Sequence, residues 1–365
     1  MSFTLAISLG ALEAPAFFGV LDYRKIFSTQ PMNPVYQEGN VFDDELLWRR
    51  EPHFQLTMTS IYEGMLGHEI CLPSIAPVSY NLRYDQHGFR NDQDLETADI
   101  AVIGDSFVEG VGIDSSGILT TALQKLEGRT VVNLGSSGYG PQQELVVLKR
   151  YAIKFRPKTI VWIFYEGNDL HDVRAYEQRL AGLQEELRYS ERAFTTNALL
   201  TVMRLRRGCV PDENLKKRYG TVVDKEGRQR KMYFPEDTRP LYGDRLAALH
   251  TTSLVLAAAY QRCREEGIRF VLVFAPEHYR VYNGLSTFVE VSEEVKWWSV
   301  NDLPGRLRTV VESISPDFEY FDLTPTLRME AAKGTSLYIP NDTHWTAEGH
   351  KIVAEALHKK LARKI

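Results

Sequence analysis

An α/β protein built on a parallel sheet covered on both faces is the fold class that the sequence predicts, and three observations predict it. Apolar runs of strand length at residues 100–103, 130–134 and 159–165 each end in a glycine-containing turn, and a helix-compatible segment follows the first two. Such alternation is the pattern of βαβ units and a parallel sheet. The first run, and the third after its opening Thr159, are continuously apolar rather than alternating, as strands buried on both faces are. A chain of 365 residues, 44% hydrophobic, is long enough for one large domain with additions.

Charge and cysteine content narrow the function classes. The formal charge is -5, with acidic and basic residues interspersed and no basic block. That pattern excludes a nucleic-acid surface and points to a small molecule or a glycan as partner. Cys71, Cys209 and Cys263 are too few and too scattered for a disulfide framework or a zinc cluster, though one bridge stays open. No motif calls for a metal or an organic cofactor, and no internal repeat is present.

Residues 3–21 are almost entirely apolar, about the length needed to cross a bilayer, but Glu13 and Pro15 interrupt them and no positive stretch precedes them. Arg24 and Lys25 follow, which on the positive-inside rule keeps the body of the protein cytoplasmic. Residues 1–22 therefore read either as a degenerate membrane anchor or as a docking segment packed on the domain. Residues 23–98 are irregular and rich in proline and aromatics, with strand-like pieces at 54–58 and 78–82, and read as an extension wrapping the core. Within them, 84–91 reads as a turn in which His87 is solvated.

The main domain spans residues 99–363. After the strand at 100–103 and the turn carrying Ser106, residues 117–126 fit a helix and 130–134 the next strand. Pro141 opens an amphipathic helix through residue 155, a first-turn position where its missing N–H is harmless. The strand at 159–165 leads into Glu166-Gly167-Asn168-Asp169. Regularity then breaks, and residues 173–240 read as a lid-like insertion holding a helix at 177–192 and a hairpin at 221–234 that turns at Asp224-Lys225-Glu226-Gly227. A helix at 246–266, a strand at 269–275, a helix at 303–314 and a short strand at 318–322 follow. Glu277 and His278, after the fourth strand, read as rim residues. A last helix at 347–361, capped by Thr346, buries Ile352, Val353, Ala356, Leu357 and Leu361.

Loops carrying Ser106, Gly138, Asn168 and the pair Asp342 with His344 end at one edge of this sheet. Together they hold every part an acyl transfer needs. A serine hydroxyl needs a base, and an imidazole titrating near neutrality is the usual one. His344 fits that role, and Asp342, two residues earlier, fits the group that fixes the imidazole tautomer. The Ser106 and Gly138 backbone amides and the Asn168 side-chain amide fit an oxyanion hole. Each residue alone has a local explanation as a turn, cap or helix-entry residue; in this order, each at a strand end, they form a set.

Gly104-Asp105-Ser106, Asn133-Leu134-Gly135-Ser136-Ser137-Gly138, Gly167-Asn168-Asp169 and Asp342-Thr343-His344 resemble, in order, the sequence blocks of the SGNH (GDSL-type) hydrolase superfamily across roughly residues 99–363. The resemblance implies a flavodoxin-like three-layer α/β/α sandwich acting on esters, with Ser106 as nucleophile, Gly138 and Asn168 as oxyanion donors and His344 as base. Two departures stand out. Many members place two residues between the Asp and the His, whereas this chain places one, and its Asp342-Thr343-His344-Trp345 is similar to the SGNH-like domains of bacterial polysaccharide O-acetyltransferases. Glu166 stands where a glycine is often found. Bacterial relatives of this shape often carry an N-terminal anchor, which implies an extracytoplasmic or membrane-anchored protein. The resulting expectation is a metal-free serine esterase or deacetylase acting on an acyl ester, an acetylated glycan among them. An O-acetyltransferase using the same residues, and a non-catalytic carbohydrate-binding or assembly protein, are the competing expectations.

Overall fold

Five strands form the central sheet of the computed structural model: β1 (Ile100–Gly104), β2 (Val131–Gly135), β3 (Thr159–Tyr165), β4 (Arg269–Ala275) and β5 (Glu319–Asp322). Their spatial order is β5-β4-β3-β1-β2, and every neighbouring pair is parallel. This is the doubly-wound 2-1-3-4-5 order of flavodoxin-like sheets, in which ligands bind outside the carboxyl ends of β1 and β3, where the winding reverses. The first three strands are buried along their whole length, which is why β1 and β3 read as almost unbroken apolar runs, while in β2 the buried Asn133 side chain is satisfied by the Val108 carbonyl at 2.7 Å. The structure describes residues 2–21, 23–27, 39–62, 73–183, 189–207, 218–235, 238, 240–288 and 295–362.

Helices flank the sheet. Leu119–Glu127 packs on Ala347–Ala362, and Pro141–Arg150 packs on Asp244–Glu265, which also meets Leu303–Ile314. The last helix buries Ile352, Val353, Ala356, Leu357 and Leu361, as its periodicity predicts, and Thr346 caps it by accepting from the Gly349 amide at 3.0 Å.

Contacts within the chain divide it into two compact units, residues 50–176 with 211–365 and residues 1–49 with 177–210. The first holds the sheet. It also holds an antiparallel pair, Gln55–Tyr62 with Pro73–Arg83, and the hairpin Tyr219–Val223 with Gln229–Tyr233. That hairpin turns where predicted, because the Asp224 carboxylate accepts from the backbone of Glu226 and Arg228.

The second unit contains the helices Ser2–Phe17, Tyr23–Phe27, Tyr189–Arg192 and Phe194–Arg207. Here Glu13 finds its explanation. Its carboxylate accepts from the backbone amides of Phe194 at 3.0 Å and Thr195 at 2.7 Å, from the Tyr189 hydroxyl at 2.9 Å and from the Thr195 hydroxyl. The acid inside the apolar run caps another helix, satisfying N–H groups that have no intrahelical partner. Burial opposes its charge, but these hydrogen bonds outweigh it and hold the carboxyl below its ordinary value. Among the described residues no helix is long and apolar enough to cross a membrane.

Several elements differ from the sequence reading. The helix expected over 141–155 breaks at Tyr151 (φ -121°, ψ -58°), and a 3₁₀ turn, Ala152–Phe155, completes it. The helix expected over 177–192 starts at Asp169, directly after Asn168, and ends at Leu183, with Tyr189–Arg192 separate. Phe194–Arg207 and Thr324–Ala332 are additional helices; the latter begins with Pro325 in its first turn, a start signal that short length obscured. Cys71 and Cys209 lie outside the described residues; Cys263 is buried and free, its thiol pushed up to about 12 by burial.

Gly135 closes β2 against the short helix Ser106–Glu109, where a Cβ would lie 2.3 Å from the Glu109 amide nitrogen and 2.7 Å from the Val108 carbonyl carbon. Gly305, in Leu303–Ile314, has open space instead. Gly135→Ala is therefore expected to destabilise the protein by about 1–3 kcal/mol, and Gly305→Ala to stabilise it by roughly 0.5–1 kcal/mol. Urea midpoints of the two variants, moving in opposite directions, check this packing.

Candidate active site

Gly104 ends β1, and the next three residues turn the chain into a helix. Asp105 caps that helix, its carboxylate accepting from the Phe107 amide at 2.9 Å. Ser106 is the first helical residue, so its amide has no carbonyl one turn earlier to bond. The helix Ser106–Glu109 closes at Gly110, whose φ of 81° is left-handed. Ser106 is thereby held at the carboxyl edge of the sheet, 9% exposed.

The C-terminal loop reaches the same edge as a folded-back turn. Ile339 N–H donates to the His344 carbonyl at 2.9 Å, Thr346 N–H to that of Leu337 at 2.9 Å, and Tyr338 and Trp345 form an antiparallel bridge. Asp342 and His344 lie within it. His344 Nδ1 is 2.5 Å from Asp342 Oδ1, which also accepts from the His344 amide at 3.0 Å, and His344 Nε2 is 2.8 Å from Ser106 Oγ. The sequence-predicted residues Ser106, His344 and Asp342 thus form one hydrogen-bonded chain. Phe107 packs beneath it, with ring centroids 5.1 Å from His344, 4.8 Å from Trp345 and 3.9 Å from Tyr165. Trp345, the last residue of the Asp-Thr-His-Trp block, is fully buried and fastens the His344 turn to the helix Ser106–Glu109.

The two remaining predicted residues sit on the neighbouring strand ends. Gly138 follows β2 in a turn closed by the Tyr139 amide donating to the Ser136 carbonyl at 3.1 Å; its φ of 78° is one that a side chain would strain. Ser136 N–H in turn donates to the Gly104 carbonyl at 3.1 Å, tying this turn to β1. Asn168 follows β3, and its side chain interacts with the Asp105 carboxylate.

Sequence reasoning missed the buried polar frame that holds these turns. Glu109, three residues after Ser106 and buried, accepts from the Ser137 amide at 2.7 Å, from the Ser137 hydroxyl and from the Tyr84 hydroxyl at 2.5 Å. It clamps the Gly138 turn to the helix Ser106–Glu109. Burial works against its charge, but Arg50 and these hydrogen bonds outweigh it and hold the carboxyl below its ordinary value. Arg90 ties the end of the same helix down through the carbonyls of Glu109, Gly110 and Ile113, and Asn91 pairs with the Asn133 backbone at 2.9 Å in both directions. His87, in the same turn, lies beside the rings of Tyr151 and Phe155.

On the opposite flank Glu166 accepts from Arg280 Nε at 2.7 Å and Nη2 at 2.5 Å, and from the Glu277 amide at 3.1 Å, anchoring the Asn168 turn to the end of β4. Glu277 and His278 are not rim residues: they are 3% and 0% exposed. His278 is stacked on Phe234 and 2.9 Å from the Tyr233 carbonyl, and burial pushes its imidazole down to about 4. The hairpin that supplies Tyr233 is thereby fixed against this segment, and Tyr233 N–H also donates to the Pro340 carbonyl at 2.8 Å, just ahead of Asp342.

The electrostatics suit a general base. Burial alone lowers the His344 imidazole, but the Asp342 charge and hydrogen bond outweigh it, with help from Asp105 and Glu109, and the pKa is raised above its ordinary value. Nearby, burial and mutual repulsion push Glu144 and Asp169 well above the usual carboxylate range and favour their neutral acids. Asp342 is the carboxylate bonded directly to the imidazole.

The profile of a family described as GDSL-like Lipase/Acylhydrolase matches residues 100–357. No curated protein matches the sequence. Solved structures similar to this chain include a GDSL-like lipase from Bacteroides thetaiotaomicron (12% identity, 72% of this chain and 88% of that one, TM-score 0.35). Others are a lipase/acylhydrolase from Enterococcus faecalis (12%, 72% and 94%, 0.36) and a catalytic mutant of an acetylxylan esterase from Geobacillus stearothermophilus (12%, 74% and 97%, 0.38).

If the imidazole must be neutral to accept a proton, activity falls as pH drops through its raised pKa. The kcat/KM profile for an ester is expected to show an acid limb above about 6.5, the ordinary histidine value. In Asp342→Asn the limb moves to lower pH, because the charge that raises the pKa is gone while burial still lowers it, and kcat drops by about 10,000-fold, as when a triad aspartate is neutralised. A limb that stays in place in the variant contradicts the assignment.

Proposed function

Because the chain belongs to the GDSL-like lipase/acylhydrolase family, and so to a family of ester hydrolases, we propose that it cleaves an acyl ester through a Ser106–His344–Asp342 triad. The observation that carries this reading is the continuous chain from Asp342 Oδ1 through both ring nitrogens of His344 to Ser106 Oγ, at 2.5 and 2.8 Å. His344 takes the proton as Ser106 Oγ attacks the acyl carbon, and Asp342 stabilises the imidazolium that forms. The tetrahedral oxyanion accepts from the Ser106 and Gly138 amides and from Asn168, each donor contributing about 2.7–4 kcal/mol by analogy with a single oxyanion donor in a protease. Collapse expels the alcohol, which His344 protonates; water, activated by the same imidazole, then releases the acid.

For the finer substrate class we propose an acetyl ester on a carbohydrate. Support comes from the similarity of Asp342-Thr343-His344-Trp345 to the SGNH-like domains of polysaccharide O-acetyltransferases. The same similarity supports a second reading, in which a sugar hydroxyl rather than water meets the acyl-enzyme. Both readings share every residue up to that step.

Turnover of a chromogenic acetate ester by the wild type beside Ser106→Ala tests the proposal. Wild-type hydrolysis reduced about 10,000-fold or more by the substitution is the expected result. Activity unaffected by it removes Ser106 as nucleophile, and absence of turnover across short esters favours the O-acetyltransferase or a non-catalytic carbohydrate-binding or assembly protein. With an acetylated sugar donor and an acceptor glycan, free acetate alone marks hydrolysis, whereas acetylated acceptor marks transfer.

A further inference from the structure

From the unit of residues 1–49 with 177–210 we infer a second, non-catalytic function: a surface that lies in the plane of an anionic lipid bilayer. The helix Phe194–Arg207 is turned inside out. Its polar Asn197 is 1% exposed and donates to the Ala193 carbonyl at 2.7 Å, whereas Leu199 (60% exposed), Val202 and Met203 face solvent at helical spacing, with Leu200 beside them. A helix at a water surface has the reverse arrangement. Ser2–Phe17, which packs on Phe194–Arg207, also exposes Leu9 and Leu12, and Phe17, Phe18 and Val20 at its end are 62%, 74% and 79% exposed. Large apolar side chains gathered at the surface of one unit mark an interaction surface.

Charge and chemistry select lipid as the occupant. Residues 3–21 carry one acid and no base, and that acid, Glu13, has its carboxylate engaged by Phe194, Thr195 and Tyr189, so its charge is satisfied within the unit. Phe194–Arg207 carries no acid, and its apolar stripe is followed in sequence by Arg204, Arg206 and Arg207, cations suited to anionic headgroups. At the end of the apolar helix Phe17, Phe18 and Tyr189 form an aromatic cluster with centroids 5.3 and 5.6 Å apart, and Gly19 packs against the Arg192 guanidinium. Aromatic rings and arginines gathered at the end of an apolar segment are the order found at a bilayer interface. The arrangement is in-plane, because the exposed apolar side chains of Phe194–Arg207 lie along the face opposite the buried Asn197.

Flotation of the full chain with vesicles of phosphatidylcholine, with and without phosphatidylglycerol, tests the inference. The protein is expected to float with the phosphatidylglycerol vesicles, to bind less as salt rises, and to be released by alkaline carbonate. L199E/M203E changes two side chains already exposed, so folding, followed by circular dichroism, and hydrolysis of a soluble ester are expected to stay unchanged while vesicle partitioning falls about 100-fold, from two lost apolar insertions. No flotation with either vesicle overturns the inference. So does equal partitioning of the variant, retention after carbonate, or self-association without vesicles that the variant abolishes, which makes a second copy the occupant. None of these outcomes bears on the Ser106 chemistry, which is read from a separate unit.

Discussion

The hydrogen bond between the Ser106 hydroxyl and the His344 imidazole joins residues 238 apart in the chain, and the sheet unit is arranged so that it can form. Neither residue is placed by its own loop alone. Parallel strands deliver successive loops to one edge, and the 2-1-3-4-5 order puts the ends of β1 and β3 side by side at the reversal of winding. The His344 turn arrives from the other end of the sequence and is locked by the Tyr338–Trp345 bridge and by packing of Trp345 against Phe107. Phe107 touches His344 and Trp345 from the position next to the serine. Its burial beneath them positions Ser106 and His344 in one packing event.

A second layer of constraint is polar. Glu109 holds the Gly138 turn, Arg90 holds the end of the helix Ser106–Glu109, and Glu166 with Arg280 holds the Asn168 turn. Each is a buried charge that would be costly alone and is tolerated because it is multiply hydrogen-bonded. The result is a set of turns fixed relative to each other before a substrate arrives, which is the condition under which oxyanion donors act without reorganisation.

Much of this was readable from residues. The strands β1, β3 and β4 announce themselves as unbroken apolar runs, Thr346 and the Asp224 turn as caps, and the four loops as an ordered set of chemistry-bearing types. The frame was not readable, for a physical reason. Tyr84, Arg90 and Glu109 have the composition of a solvated turn or helix face, and only tertiary packing reveals that they are buried and paired. Glu13 misleads in the same way: in sequence it interrupts an apolar segment, and in the fold it caps a helix that begins 181 residues later. His278 looked like a rim residue because it follows a strand end, yet the ring of Phe234 covers it. Local signals report periodicity and turn chemistry; they carry no information about which distant donor will meet a buried carboxylate.

The central claim is that an imidazole from the C-terminal turn activates one particular serine. Labelling with a fluorophosphonate, followed by peptide mapping, measures this most directly, because phosphonylation requires a hydroxyl made nucleophilic by its neighbours. The arrangement predicts a single adduct on Ser106 in the wild type and loss of that adduct in a folded His344→Gln variant. An adduct on another residue, or undiminished labelling of Ser106 in the variant, contradicts it.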